Sequence, residues 1–359
     1  MKHKEIFSML RNIIYYNMRR TKVPIGRIIN IELTNRCNQQ CIFCPVNRKD
    51  VKKPIVRKKT DMKIEDFERI IKNYKKYCYL VNISHHGESF LHPNFREAIA
   101  ILKKYKVPYS ITTNGSLVGN FIDILEEYPP EKILFSLYTI YPKKFQKLTT
   151  TGDLEIVLKN IDILLKMKKD GRINTKIIIR AIRMYGFEDD IEKLKEYFKG
   201  KDVEWDIDVL NSWAGRVDIS KYGDVSKHTV SFKYCFQPWN NCIIGSDLGV
   251  YICNNHEDEP IDYLTEDKTL EDIWNSEKYQ KIRSNILSGQ FRKNEICEGC
   301  DYFNLDSFTD KPSLFFFLGK TFLYKILYTL RLVRPKDLSE ILMRLNKNGE
   351  NKDIIKKNR

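Results

Sequence analysis

Between residues 27 and 210, short apolar runs alternate six times with stretches of helical period. The spacing predicts strands over 27–33, 79–84, 109–113, 132–137, 175–182 and 203–210. Between them, apolar residues recur every three to four positions, as at Ile64, Phe67, Ile70, Ile71 and Tyr74. Thr60 and Asp61 stand where they would cap that helix. Strands joined in turn by helices run parallel, and the functional residues of such folds collect in the loops at the strands' carboxyl ends. Four of those ends carry reactive groups or turn residues: 37–44, His86-Gly87-Glu88, Thr113-Asn114-Gly115 and Ser136. All four would face one side of the sheet.

The first loop holds Cys37, Cys41 and Cys44, with gaps of three residues and then two. Thiolates so close in one loop converge on a soft metal centre. The 359 residues contain nine cysteines, an odd number, and seven of them fall into two groups. The first twenty residues carry scattered Lys and Arg and no small-residue cleavage site, which excludes a secretory signal there. The expected compartment is the reducing cytoplasm, where grouped cysteines serve metal or redox chemistry and not disulfides.

Outside the alternating region the pattern changes. Residues 5–18 have helical spacing and form an N-terminal helical arm, 1–26, ended by Pro24-Ile25-Gly26. The stretch 45–59 has seven Lys or Arg against Asp50 alone, a surface suited to an anionic substrate. Cys235, Cys242, Cys253, Cys297 and Cys300 follow in a less regular module, 230–305, with a hairpin expected over 247–253 and a helix over 270–287. Residues 314–333 are rich in Phe, Leu, Ile and Tyr, but Lys320, Lys325 and Arg331 argue against a membrane span. The tail 331–359 adds nine basic and four acidic residues, so 306–359 reads as a hydrophobic helix with a basic end, suited to peripheral contact with an anionic membrane. The formal net charge of +15 reflects a Lys-rich surface, and nucleic acid is not the expected partner.

Cys37-x3-Cys41-x2-Cys44, with Phe43 before the last cysteine, closely resembles the cluster motif of the radical S-adenosylmethionine (SAM) superfamily. The resemblance implies a partial (β/α)6 barrel over 27–225 and a [4Fe-4S] cluster on three thiolates, with SAM on the fourth iron. It also implies a 5′-deoxyadenosyl radical that abstracts hydrogen, and a low-potential electron donor such as flavodoxin or ferredoxin. Gly87-Glu88 corresponds to the family's glycine-glycine-glutamate segment, with His86 in place of the first glycine. Ser136 and Arg180 match positions that reach SAM. The second cysteine group is similar to the SPASM/twitch extension: Cys235, Cys253, Cys297 and Cys300 would hold one auxiliary [4Fe-4S] cluster. Cys242 is a surplus member, either core or a competing ligand, and Cys78 is expected in the core. Asp247-Leu248-Gly249 stands where the extension usually has Asp-Gly-x.

The function that follows is a radical SAM oxidoreductase that oxidises a hydroxyl of a sugar or cyclitol, with the auxiliary cluster accepting the electron. Two rivals are a peptide- or protein-modifying radical SAM enzyme and a zinc-bearing nucleic-acid-binding protein. Metal analysis of the anaerobically purified protein separates the last: two four-iron clusters give about eight irons per chain, whereas zinc without iron would contradict the enzyme reading.

Overall fold

The structure is a computed structural model that describes residues 3–48, 51–55, 57–187, 189–220, 222, 235–256 and 259–300. Six parallel strands follow the expected alternation: β1 (Arg27–Ile31), β2 (Val81–Asn82), β3 (Tyr109–Thr113), β4 (Lys132–Ser136), β5 (Lys176–Arg183) and β6 (Glu204–Val209). Their connections carry α2 (Ile64–Tyr74), α3 (Phe95–Tyr105), α4 (Ile122–Glu127), α5 (Pro142–Thr149), α6 (Leu154–Lys169) and α7 (Asp190–Tyr197). The period of two along each strand divides the residues between the faces. Val81, Ile83, Ile111, Ile133, Phe135, Ile177 and Ile179 are fully buried under helix residues such as Phe67, Ile99 and Ile161. Their neighbours Asn82, Ser84, Thr112, Ser136 and Arg180 line a single cavity. The apolar face therefore holds the helices, and the polar face curls around a space.

Some local expectations are corrected. Lys63, not Thr60 or Asp61, precedes α2, because Thr60 donates its N–H to Asn35 and Asp61 is held by Arg36 at 2.8 Å. Tertiary partners outcompete the cap there. At α6 the capping residue is Asp153, whose carboxylate accepts from the N–H groups of Glu155 and Ile156. The helix expected over 270–287 is two, α8 (Leu270–Trp274) and α9 (Glu277–Leu287), since Ser276 caps the second and accepts from Tyr279 N.

The second module does not form a separate body. Its first strand, β7 (Asn241–Ile244), pairs in parallel with β1, and β8 (Gly249–Tyr251) and β9 (Asp262–Tyr263) follow antiparallel. One nine-stranded sheet results, in the order β6-β5-β4-β3-β2-β1-β7-β8-β9. The β7–β8 hairpin begins earlier than expected, and Leu248 in its turn has φ +66. That is the left-handed position an Asp-Gly turn would give to glycine, so the displaced glycine leaves a leucine strained there. The helical arm α1 (His3–Asn17) packs on the same module, with Tyr16 edge-on to Trp239 at 4.8 Å.

A buried carboxylate joins the two halves. Glu32, just past β1, has a side chain with no solvent contact and accepts from Arg57 at 2.8 and 3.3 Å. It also accepts from His86 N at 3.2 Å and from the N–H and hydroxyl of Ser246 in the β7–β8 turn at 2.9 and 2.8 Å. These partners hold its carboxyl well below the usual carboxylate range against the cost of burial. Arg57 continues to Asp247 at 3.1 Å and lies over the Tyr251 ring. Removing one member of a buried pair strands the other charge. Glu32→Ala should lower the unfolding free energy of the metal-free protein by about 3 kcal/mol in urea titration; a loss near zero would show that the pair is not buried as described.

Candidate active site

All seven grouped cysteines, but neither Cys242 nor Cys78, open on one cavity of about 780 Å³. Cys242 is fully buried in β7, its thiol near the Arg27 carbonyl at 3.8 Å, and Cys78 is buried beneath Tyr74 O at 3.7 Å. Both are core, which settles the surplus cysteine. Cys41, Cys44 and Cys37 lie close enough to oppose each other's ionisation, as do Cys253, Cys300, Cys235 and Cys297. Burial is the larger effect and pushes the Cys297 thiol up to about 12. A thiolate set of this kind needs a cation to be stable. Among the described residues, no three such side chains close round one metal ion. A four-iron cubane takes one thiolate at each of several corners. The donor sets fit four-iron clusters.

The 37–44 loop has no regular secondary structure, and its backbone is held from outside. Asn47 donates from one amide nitrogen to the Cys37 and Gln39 carbonyls, 2.9 Å each, and accepts from Lys59 at 2.7 Å. Lys59 also reaches the carbonyls of Asn35 and Val46. Of the basic stretch that sequence reading offered to an anionic substrate, Arg57 and Lys59 are thus committed to the protein itself.

Gly87 lies against the strand leading to Cys37: a Cβ there would stand 2.2 Å from Thr34 O and 2.7 Å from Arg36 O. Only glycine permits that approach. Glu88 is buried and lines the cavity. It accepts from Thr113 Oγ1 at 3.0 Å and from Asn114 N at 2.8 Å. Burial outweighs these bonds and raises its carboxyl to about 7. Asn114, which read as a plain turn residue, also points its amide at Asn38 Oδ1, 2.8 Å, and at the Cys37 sulfur, 3.9 Å. Ser136 hydrogen-bonds Tyr138, whose ring meets Phe43 edge-on at 5.0 Å. Arg180 lines the cavity and holds Asp206 of β6 at 2.9 Å. His86 is buried against His85, ring centroids 3.5 Å apart, and burial lowers its pKa to about 3.

Residues 31–199 match the radical SAM superfamily, and residues 235–301 match SPASM, an iron-sulfur cluster-binding domain. The chain belongs to the radical SAM superfamily, among its members with a SPASM domain, and its cofactors are SAM, a [4Fe-4S] cluster and auxiliary iron–sulfur clustering. Among particular proteins, it is 26% identical over 205 residues to the GTP 3′,8-cyclase of Aquifex aeolicus (strain VF5), covering 54% of this chain and 60% of that one. The chain thus spans less than two thirds of that curated relative. Its fold is similar to Streptococcus suis SuiB bound to the precursor peptide SuiA, with TM-score 0.58, 17% identity, and coverage of 79% of this chain and 71% of that one. BtrN in complex with AdoMet and 2-DOIA aligns with TM-score 0.49 and 15% identity over 77% of this chain and 94% of that one.

The raised Glu88 carboxyl sets a pH test. Its folded pKa lies above the ordinary 4.5, so its contribution to stability is full below that value and is lost as pH rises through about 7. His86 acts oppositely, gaining stability as pH rises from about 3 to 6.5. The difference between wild type and Glu88→Gln isolates the first effect. Between pH 5 and 8, in the absence of ligands, the variant should gain ~3 kcal/mol relative to wild type in urea unfolding; a pH-independent difference would contradict a buried, raised carboxyl.

Proposed function

We propose that the chain is a radical SAM oxidoreductase that dehydrogenates a small polyhydroxylated substrate, of sugar or cyclitol type, between its two cysteine groups. The observation that supports this reading is the shared cavity and its lining between the thiols. Asn30, Asn82, Ser84, Thr112 and Asn254 offer neutral amides and hydroxyls there. Such groups pair with ligand hydroxyls one by one, in keeping with a site that fixes orientation by a few placed polar contacts. Of the two cationic side chains on the cavity, Lys132 and Arg180, Arg180 is already engaged with Asp206.

In this reading Cys37, Cys41 and Cys44 hold the SAM-binding cluster, and Cys235, Cys253, Cys297 and Cys300 hold the auxiliary one. SAM held there would supply hydrogen-abstracting radical chemistry, with the electron coming from an external donor such as flavodoxin or ferredoxin. The protein's part is placement. Glu88, oriented by Thr113 and Asn114, takes an ammonium once ionised. Ser136 and Arg180 face the same space. The auxiliary thiolates line the same cavity and would hold an electron acceptor there. Among the described residues no helix is long and apolar enough to cross a membrane. The hydrophobic and basic segment 306–359, read from sequence as a membrane contact, lies outside the described residues.

The test is anaerobic reconstitution with a panel of cyclitols, sugars, GTP and short peptides, following 5′-deoxyadenosine and the mass of each product. The expected result is release coupled to loss of two hydrogens from a polyol and to a carbonyl trapped by hydroxylamine. Cys41→Ala should abolish it. Turnover of GTP or peptide alone would contradict the proposal.

A further inference from the structure

The turn after α5 sits hard against the cluster loop. Thr149, Thr150 and Thr151 run into Gly152 there. Thr150 has φ +67 and ψ −46, outside the regions open to L-residues and adopted by a β-branched residue only under strain. Glycine is the usual residue at this point after a helix. Strain of this kind costs about 1–3 kcal/mol and persists where the surroundings enforce it. The turn has no slack either: a Cβ on Gly152 would stand 2.4 Å from Thr149 Oγ1 and 2.9 Å from Gln39 Nε2.

What the strained turn accomplishes is visible in its hydroxyls. Thr150 Oγ1 donates to the Gln40 carbonyl at 2.9 Å, and Thr151 Oγ1 donates to the Asn38 carbonyl at 2.8 Å. A trans peptide is planar, with its C=O and N–H pointing in opposite directions. Pulling the Asn38 carbonyl outward therefore turns the Gln39 N–H inward, and pulling the Gln40 carbonyl outward does the same for the Cys41 N–H. Gln39 lies between Cys37 and Cys41, and Cys41 is itself one of the three thiols, so both N–H groups belong to the segment that carries the sulfurs. The backbone of the turn adds a second set of ties, from Gln40 N to Thr149 O and from Ile42 N to Leu148 O.

We propose that Thr150 and Thr151 are positioning residues that aim two backbone N–H groups at the sulfurs of Cys37 and Cys41 and so set the reduction potential of the SAM-binding cluster. This rests on the assignment of Cys37, Cys41 and Cys44 to that cluster. Hydrogen bonds to cluster sulfurs favour the reduced, more negative state and raise the potential. The strain at Thr150 is kept because a glycine, though easier in this conformation, has no hydroxyl to hold Gln40.

The experiment is an EPR redox titration of the reconstituted full chain, using the signal that changes on adding SAM to identify the cluster. Thr150→Val and Thr151→Val keep the branched shape and delete the hydroxyl; Thr150→Ser keeps the hydroxyl. Each valine variant should disfavour reduction about tenfold, a shift of ~59 mV to more negative potential for one electron, and Thr150→Ser should return toward the wild-type value. Unchanged potentials in both valine variants would overturn the proposal. So would loss of the cluster in Thr150→Ser as well as Thr150→Val, which would indicate a packing role alone. A wild-type chain that binds iron but gives no SAM-sensitive signal would instead sink the assignment of the three cysteines.

Discussion

Glu32 is the interaction on which the arrangement depends. A carboxylate removed from water is tolerable only if its partners are nearly complete. Here they come from three places in the chain: the segment after the cluster loop, the loop before Glu88, and the hairpin of the second module. Each of those segments continues directly into a part of the active site. Fixing the carboxylate therefore fixes the cluster loop, the Gly87-Glu88 backbone and the auxiliary cysteines relative to one another. The parallel pairing of β7 with β1 serves the same end, because it extends one sheet under both halves.

The polarity of the sheet decides where the chemistry lies. Helices cover the face of Ile and Val side chains, and the opposite face brings amides, hydroxyls and the charged Lys132, Arg180 and Asp208, with Leu134 and Ile182 among them, around a cavity. An ordinary barrel fills such a space with branched apolar residues. Here it is left open, with polar groups set among apolar side chains such as Leu134, Ile182 and Ile252, and with a thiol group at two of its borders. Burial makes unmodified thiolates costly at both, so metal binding and folding are coupled in these regions.

Much of this was legible in the sequence. The six strands and the two cysteine groups follow from periodicity and short spacing, both of which are local properties. The joining of β7 to β1 was not, since four buried residues, Asn241 to Ile244, carry no signal for their partner strand. Thr60 and Asp61 misled for the same reason: Asn35 and Arg36 take them first. Arg57 and Lys59 read as part of a basic surface for an anionic substrate because charge counts do not reveal Glu32 or Asn47 as their partners. Asn47, Asn114, Thr150 and Thr151 act through backbone groups distant in sequence, and their residue types are those of common turns.

The central claim is that two iron–sulfur clusters border one cavity, with the substrate between them. Pulsed dipolar and relaxation EPR on the fully reduced, reconstituted protein tests it most directly. The account predicts two four-iron spin systems that relax each other measurably across a cavity of about 780 Å³, with only one perturbed by SAM. A single cluster, or two that are magnetically independent, would contradict it.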